Sequence, residues 1–358
     1  VLFRSGKIIT GNTPKTSDAQ NYESNDICFV KPSDFTDNEI TEIHQSEFYI
    51  SAYAKDKARV LPTDSILVTC IGIIGKVAIN KVPCAFNQQI NAIVPEKKVC
   101  NPRYIAYAIQ NLQPKMQSTA NAAVVPILNK TQFSNLEVPL LPVGEQKQIA
   151  CNLNKIDKLI FLRKQQLAKL DELVKAQFVE MFGDPVLNTK SLLVLTGRDF
   201  FKLSNGKAVP DEKRFEMGIP AYGGNGVSWY TDDALLNNDT LVVGRVGFQS
   251  GNVHFAKGPL WVTDNAMYIS WYDSKKYNLT FLHELMQQID FSRYQDAGDL
   301  KKITQKPFMN FEYIQPPMCQ QNEFATFVAC VDQQKQTVQQ SLEKLELMKK
   351  ALMQEYFG

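Results

Sequence analysis

The sequence predicts an α+β protein with a pseudo-twofold internal repeat: two similar globular domains joined by two long helices that pair as an antiparallel coiled coil. Three observations predict it. The chain closes on "QEYFG" (354–358) and carries "VEMFG" near its midpoint (179–183). Each pentapeptide follows a long charged stretch whose apolar residues recur at four-three spacing. Upstream of each stretch, short β-branched runs alternate with Gly, Asn and Pro turns, and each such region carries one amphipathic helical segment.

The repeat comes first, because a missed repeat misreads the whole fold. A single constant shift sets Pro142 on Pro317, Asp157 on Asp332, Gln165 on Gln340, Lys169 and Leu170 on Lys344 and Leu345, and Phe182 and Gly183 on Phe357 and Gly358, without a gap from Pro142 to Gly183. The same shift sets Phe133 on Phe308 and aligns "DSILVTCIG" (64–72) with "DTLVVGRVG" (239–247). Upstream the register changes: "TGNTP" (10–14) resembles "NGKAVP" (205–210) at a larger shift, which gives the first copy about 20 extra residues. By that alignment Val1 meets Thr196, so a clipped or short N-terminus is expected.

The charged stretches are heptad helices. Ile149, Leu153, Ile156, Ile160, Leu167, Leu170 and Val174 form one seam, with Arg163 and Gln177 as polar interruptions. Phe324, Val328, Val331, Val338, Leu342, Leu345 and Leu352 form the other in the same register, interrupted by Lys335 and Lys349. Proline-bearing entries ("PLLPVGEQ", "QPPMCQQNE") and glycine stops bound each helix. The expected organisation is therefore a globular domain over 1–142, a helix over 143–185, a second globular domain over 186–315 and a second helix over 316–358.

Bulk properties exclude several classes. The 358 residues, 44% of them apolar, suit two domains of ordinary size. No apolar run approaches the roughly 20 residues that cross a bilayer, and no leader opens the chain, so a soluble, cytoplasmic protein with no membrane partner is expected. Seven cysteines at irregular spacing and three histidines support neither a disulfide framework nor a zinc site. Net charge is +2, with 14 basic and 12 acidic residues in 1–142 and 14 of each in 186–315, so any basic surface must arise from arrangement.

The segment "PLLPVGEQKQIACNLNKIDKLIFLRKQQLAKLDELVKAQFVEMFGDP", its echo at 316–358, and the runs "YGGNGVSWYT" and "GRVGFQSGNV" resemble the specificity subunit of prokaryotic type I restriction-modification systems. The resemblance covers essentially the whole chain. It implies two target-recognition domains, each reading one half of a bipartite, asymmetric double-stranded DNA target, with the helical pair spacing them. It also implies a non-catalytic chain that binds no cofactor and docks two methyltransferase subunits, which use S-adenosylmethionine. Restriction subunits, which use ATP and Mg, join through the assembled complex. One departure stands at the second helix entry, where Gln320–Gln321 replaces Glu145–Gln146.

Base reading needs hydrogen-bonding side chains on loops that enter a groove, and phosphate binding needs Lys, Arg, hydroxyls or backbone N–H groups. In the second copy "YGGNGVSWY" offers Tyr222, Asn225 and Trp229 among glycines that permit close approach. The loop "GRVGFQSGN" offers Arg245, Gln249, Ser250 and Asn252, Arg245 foremost, because arginine pairs with guanine and Gln or Asn with adenine. The matching first-copy loop, "CIGIIGK", is far less polar and leaves Lys76 for phosphate, with Asn87, Gln88 and Gln89 as base readers. Lys130, Lys301 and Lys302, just before the helix entries, are phosphate candidates.

Three catalytic patterns fail on their chemistry. "NPRY" (101–104) lacks the second proline of an amino-methyltransferase element and reads as a helix N-cap followed by proline in the first turn. "GIIGK" lacks phosphate-loop spacing, and His283–Glu284 lacks the second histidine of a zinc helix. The competing reading is a non-catalytic coiled-coil adaptor joining two ligand-binding domains.

Overall fold

The computed structural model describes residues 4–37, 39–120, 125–296, 298 and 301–358. The chain divides into two compact units, Val1–Lys164 with Ser341–Gly358, and Gln165–Gln340. Each contains one globular domain, the first half of one long helix and the last half of the other.

In unit 1 the strands are β1 (Gly6–Thr10), β2 (Ile27–Val30), β3 (Thr41–Ile43), β4 (Tyr49–Ile50), β5 (Ile66–Thr69), β6 (Val77–Asn80), β7 (Cys84–Phe86) and β8 (Ile90–Pro95). They make a sheet in the order β1-β8-β5-β6-β3 and a smaller one in the order β4-β2-β7. Helices α1 (Pro102–Asn111), α2 (Gln113–Thr119) and α3 (Lys130–Ser134) follow, then α4 (Val143–Phe182), which crosses into unit 2.

Unit 2 repeats the plan with β9 (Val194–Thr196), β10 (Phe201–Asn205), β11 (Ile219–Gly223), β12 (Gly226–Thr231), β13 (Thr240–Gly244), β14 (Val253–Ala256), β15 (Trp261–Val262), β16 (Ala266–Tyr272), α5 (Leu279–Gln287), α6 (Gln305–Asn310) and β17 (Glu312–Ile314). Helix α7 (Met318–Phe357) starts here and ends in unit 1. The larger sheet, β10-β16-β13-β14, has the order of β1-β8-β5-β6, all pairs antiparallel. The smaller, β12-β11-β15, matches β4-β2-β7 down to the one parallel pair. The duplication written in the sequence is thus a duplication of strand order.

Two features differ. β3, at the edge of the first large sheet, has no counterpart among the described strands of unit 2 and lies within the extra residues of the first copy. β17 pairs with β9, whereas residues 137–139, at the position of β17, form no strand.

Alternation along the central strand explains the layers. Ile66 and Val68 face the core that contains α1, while Leu67 faces the core shared with β2 and β7. In β13, Leu241 and Val243 face α5 and Val242 faces the small sheet. Successive side chains on a strand point to opposite faces, so a run apolar at every position is buried on both.

The glycines of the "TGN" and "NGK" turns share a second constraint. A Cβ on Gly11 would lie 2.0 Å from the Asn87 carbonyl oxygen, and one on Gly206 would lie 2.1 Å from that of Thr263. Only glycine fits where the turn crosses the neighbouring chain.

The heptad helices pair antiparallel within each unit. In unit 1 Asp157 meets Lys349 at 2.7 Å and Lys164 meets Glu346 at 3.6 Å; in unit 2 Asp171 meets Lys335 at 2.7 Å. Two of the lysines that interrupt the seam are therefore matched to aspartates on the facing helix. Burial pushes the Lys335 ammonium down, but its hydrogen bond to Asp171 and the charges of Asp171, Asp332 and Glu284 outweigh this and raise its pKa. At about 1.5 Å per residue each 40-residue helix is about 60 Å long.

Of the seam residues, Ile149, Leu153, Ile156, Ile160, Leu170, Val174, Phe324, Val328, Val331, Val338 and Leu342 are buried. Leu167, Leu345 and Leu352 are half-buried. The two "FG" endings do the same work. Phe182 packs edge-on against Phe281 of α5 at 4.9 Å between centroids, and Phe357 packs against Tyr104 of α1 at 5.1 Å. Gly183 then ends α4 at φ +73°, its N–H donating to the Val179 carbonyl.

The "NPRY" element is a helix cap. Asn101 accepts the Tyr104 N–H at 3.0 Å and Pro102 opens α1. Asn278 caps α5 in the same manner, accepting from Thr280 and Phe281.

Candidate nucleic-acid interface

One loop recurs at the same place in both units, after the central strand of the large sheet. In unit 2 it is Arg245–Asn252, between β13 and β14; in unit 1 it is Cys70–Lys76, between β5 and β6. Gly247 and Gly72 begin the excursion at φ +95° and +77°, the left-handed region that favours glycine. The Gly247 N–H donates to Lys301 O at 2.8 Å, and the Gly72 N–H to Pro126 O at 3.0 Å. Residues 126 and 301 are themselves related by the shift of the repeat, as are the partners of the next bonds, Leu128 N–H to Cys70 O and Ile303 N–H to Arg245 O. Each loop is thus hydrogen-bonded to the strand-like segment that leads to α3 or α6.

Further bonds fix the unit 2 loop. Ser250 N–H donates to Gly247 O and Gly251 N–H to Gly244 O, while the Gln295 amide donates to Ser250 O at 2.6 Å. In unit 1 the Gln113 amide reaches Ile74 O at 3.3 Å. These bonds fix the backbone of each loop.

What they display differs. Arg245 is half-buried, and among the described residues no hydrogen bond or ion pair engages its guanidinium. Gln249 and Asn252 are exposed beside it, as are Lys301 and Lys302 on the segment that pins the loop. Ser250 is buried and its hydroxyl has no partner among the described residues. Cys70 occupies the position of Arg245 in unit 1 and is buried.

The "YGGNG" run is a two-residue hairpin turn, Gly224–Asn225, joining β11 to β12 with Gly223 opposite Gly226. Asn225 is exposed at its tip. Tyr222 is half-buried against the Val242 and Leu260 core, and burial raises its phenol pKa. Trp229 is half-buried on β12 with the Arg214 guanidinium 4.4 Å from its ring, a cation-π arrangement that fixes the indole.

The first-copy candidates are more committed to the fold. The Lys76 ammonium lies 2.6 Å from Asp37 with the side chain 14% exposed. Asn87 is buried, donating to Gln89 Oε1 at 2.8 Å and accepting the Gln89 N–H at 3.1 Å, so its amide and that of Gln89 close a local turn. Gln88 is exposed and accepts from Thr13. Lys130 is exposed at the first turn of α3. Unit 1 brings Asn87, Gln88 and Gln89 together in one turn; unit 2 brings Arg245, Gln249 and Asn252 together with Lys301 and Lys302.

Sequence reasoning passed over the loop tips. Phe248 is 91% exposed and Ile73 53% exposed, and they occupy aligned positions of the repeat. The signal was present: an apolar residue directly after a glycine in both copies. Among the described residues no group of His, Cys, Asp and Glu could hold a metal ion, and no helix is long and apolar enough to cross a membrane.

The comparisons with known proteins agree with this construction. The family model described as the type I restriction modification DNA specificity domain matches residues 6–172 and again 194–347. The MjaIX specificity subunit of Methanocaldococcus jannaschii is 28% identical over 182 residues, 50% of this chain and 42% of its own length. A putative MjaX specificity subunit from the same organism is 25% identical over 312 residues, 78% of this chain and 73% of its own. In fold, the chain resembles the type I restriction-modification S subunit from M. genitalium, with a TM-score of 0.67 at 15% identity, covering 100% of this chain and 95% of that one. A chain from a structural study of complex assembly and conformational transition of the type I R-M system gives 0.58 at 13% identity, covering 99% and 96%. With the family model matched twice, once over each copy of the repeat, the chain belongs to the type I restriction-modification specificity subunits.

Proposed function

We propose that each unit of this specificity subunit reads one half of a bipartite, asymmetric DNA sequence, and that the paired helices set the spacing and dock two methyltransferase subunits. The observation that carries this reading is one framework built twice with different side chains on the same loop: Arg245 where Cys70 stands, Phe248 where Ile73 stands, Gln249 where Ile74 stands. A shared scaffold with unlike loops suits two unlike half-sites. Base-edge contacts fall to Arg245, Gln249, Asn252 and Asn225 in the second half-site and to Gln88 in the first; Lys130, Lys301 and Lys302 hold phosphates. The Asn87 amide and the Lys76 ammonium, engaged within the fold, the enclosed Ser250, and Gln89, whose Oε1 accepts from Asn87, play a supporting part.

The chain itself makes and breaks no bonds in this reading. It directs adenine methylation by the partner methyltransferase subunits, which bring S-adenosylmethionine, and DNA cleavage by restriction subunits using ATP and Mg. The test is to co-express the chain with its methyltransferase subunits in a host free of adenine methylation and map methylated adenines. The expected result is methylation confined to one split sequence with a fixed gap. Methylation at a continuous short sequence, or without preference, would contradict it.

A further inference from the structure

The loop tips carry a feature that base-edge and phosphate contacts leave unexplained. Phe248 is 91% exposed on a backbone hydrogen-bonded at Gly247, Ser250, Gly251 and Asn252. Burying a phenylalanine side chain is strongly favourable, and this one forgoes nearly all of that gain. Single exposed apolar residues are ordinary on protein surfaces. Here, however, the position recurs: Ile73, its counterpart in the first copy, is 53% exposed, follows a glycine of the same backbone conformation and sits in a loop pinned by the equivalent hydrogen bonds. The flanking polar residues diverged between the copies while an unpacked apolar tip stayed in both.

The setting identifies the occupant. Gly247 is bonded to Lys301, Val246 bridges to Lys302, and Arg245 lies just before Val246, so three cationic residues stand on the backbone around Phe248, with Asp296, whose N–H donates to Lys302 O, as an acidic neighbour. In unit 2 these cations beside an exposed apolar tip on a hydrogen-bonded loop suit duplex DNA, where phosphates meet the cations and the apolar group enters the base stack; in unit 1 the recurrence of the tip alone supports the same fit. Phenylalanine and isoleucine are both side chains that act as wedges between base steps. We infer that Phe248 and Ile73 are paired apolar wedges, each entering the base stack of the half-site that its own unit reads. This rests on the proposed bipartite reading.

The two fail in different ways in one experiment. The full chain with its methyltransferase subunits is bound to duplexes carrying 2-aminopurine at successive positions of each half-site, away from the methylated adenine. The expected result is a fluorescence rise at one step in each half-site. F248A removes the rise in the second half-site alone and weakens binding about tenfold, on the order of one lost stacking contact; I73A removes the rise in the first half-site alone. F248W retains the signal, and unchanged unfolding midpoints show that both alanine variants fold. Wild-type complex that binds its split sequence with no rise, or with a rise that F248A and I73A leave intact, overturns the wedge and spares the bipartite reading. Wild-type complex with no split sequence to bind overturns both.

Discussion

Gln321 accepts the backbone N–H of Asn278 at 2.9 Å and donates to the carbonyls of Lys276 and Pro316. Gln146, its counterpart in the first copy, accepts the N–H of Asn101 at 2.8 Å and donates to Val99 and Leu141. Both side chains are fully buried. Each ties the first turn of a long helix to the capping residue of the domain helix beside it. The departure at the second entry, Gln320 for Glu145, falls on the neighbouring position, which is exposed in both units. The residue that does the tying is glutamine in each.

Removing that amide strands one donor and two acceptors. Gln321→Ala is expected to destabilise unit 2 by about 3 kcal/mol or more, since three groups lose their partner and each buried polar group left unpaired costs about 1–3 kcal/mol. All three tryptophans, Trp229, Trp261 and Trp271, lie in unit 2, so urea unfolding followed by tryptophan fluorescence reads this change. Gln146→Ala is expected to leave that transition in place and lower the one seen by circular dichroism for unit 1.

Base reading and phosphate binding separate by salt. Arg245→Ala is expected to relax discrimination at one base pair of one half-site by about 1–3 kcal/mol. Lys301→Ala and Lys302→Ala are expected to weaken all sequences alike and to reduce the slope of log affinity against log salt by about 0.9 each. Anisotropy titrations of the methyltransferase complex at several salt concentrations measure both. A lysine variant that changed sequence preference and left the slope alone would exchange the roles.

Thiol reactivity reports the burial pattern. Burial raises the pKa of Cys70 to about 11, of Cys84 to about 12 and of Cys100 to about 11, and Cys28 is buried as well. Only the thiolate reacts, so at pH 8 Cys70, Cys84 and Cys100 stay protonated, and burial shields Cys28 along with them. Cys151, Cys319 and Cys330 are exposed on the long helices. Labelling of the free chain with a disulfide reagent is expected to modify these three quickly and all seven only after denaturation. The proposed docking of methyltransferase subunits on the helices is expected to slow the helix thiols selectively, and unchanged labelling in the complex would count against it.

The large features were legible in the sequence because they are periodic or duplicated. Heptad spacing gave the seam, the constant shift gave the correspondence of α4 with α7, and Asn101–Pro102 gave a cap. Sheet order was hidden, since β1 pairs with β8 across all the intervening strands and no local pattern encodes that partner. Asn87 and Lys76 looked available because sequence does not show where an amide or ammonium is spent; Gln89 and Asp37 take them. For Phe248 the one mark in the sequence is its place directly after a glycine in both copies, and the fold shows the side chain 91% exposed.

Separate reading by the two units has a direct consequence for domain exchange. It is tested most directly by replacing residues 186–315 with the corresponding domain of another specificity subunit and sequencing the methylated sites made by the complex. One half of the split sequence is expected to change while the other half and the gap stay as they were. Unchanged methylation, or a change in both halves at once, would contradict it.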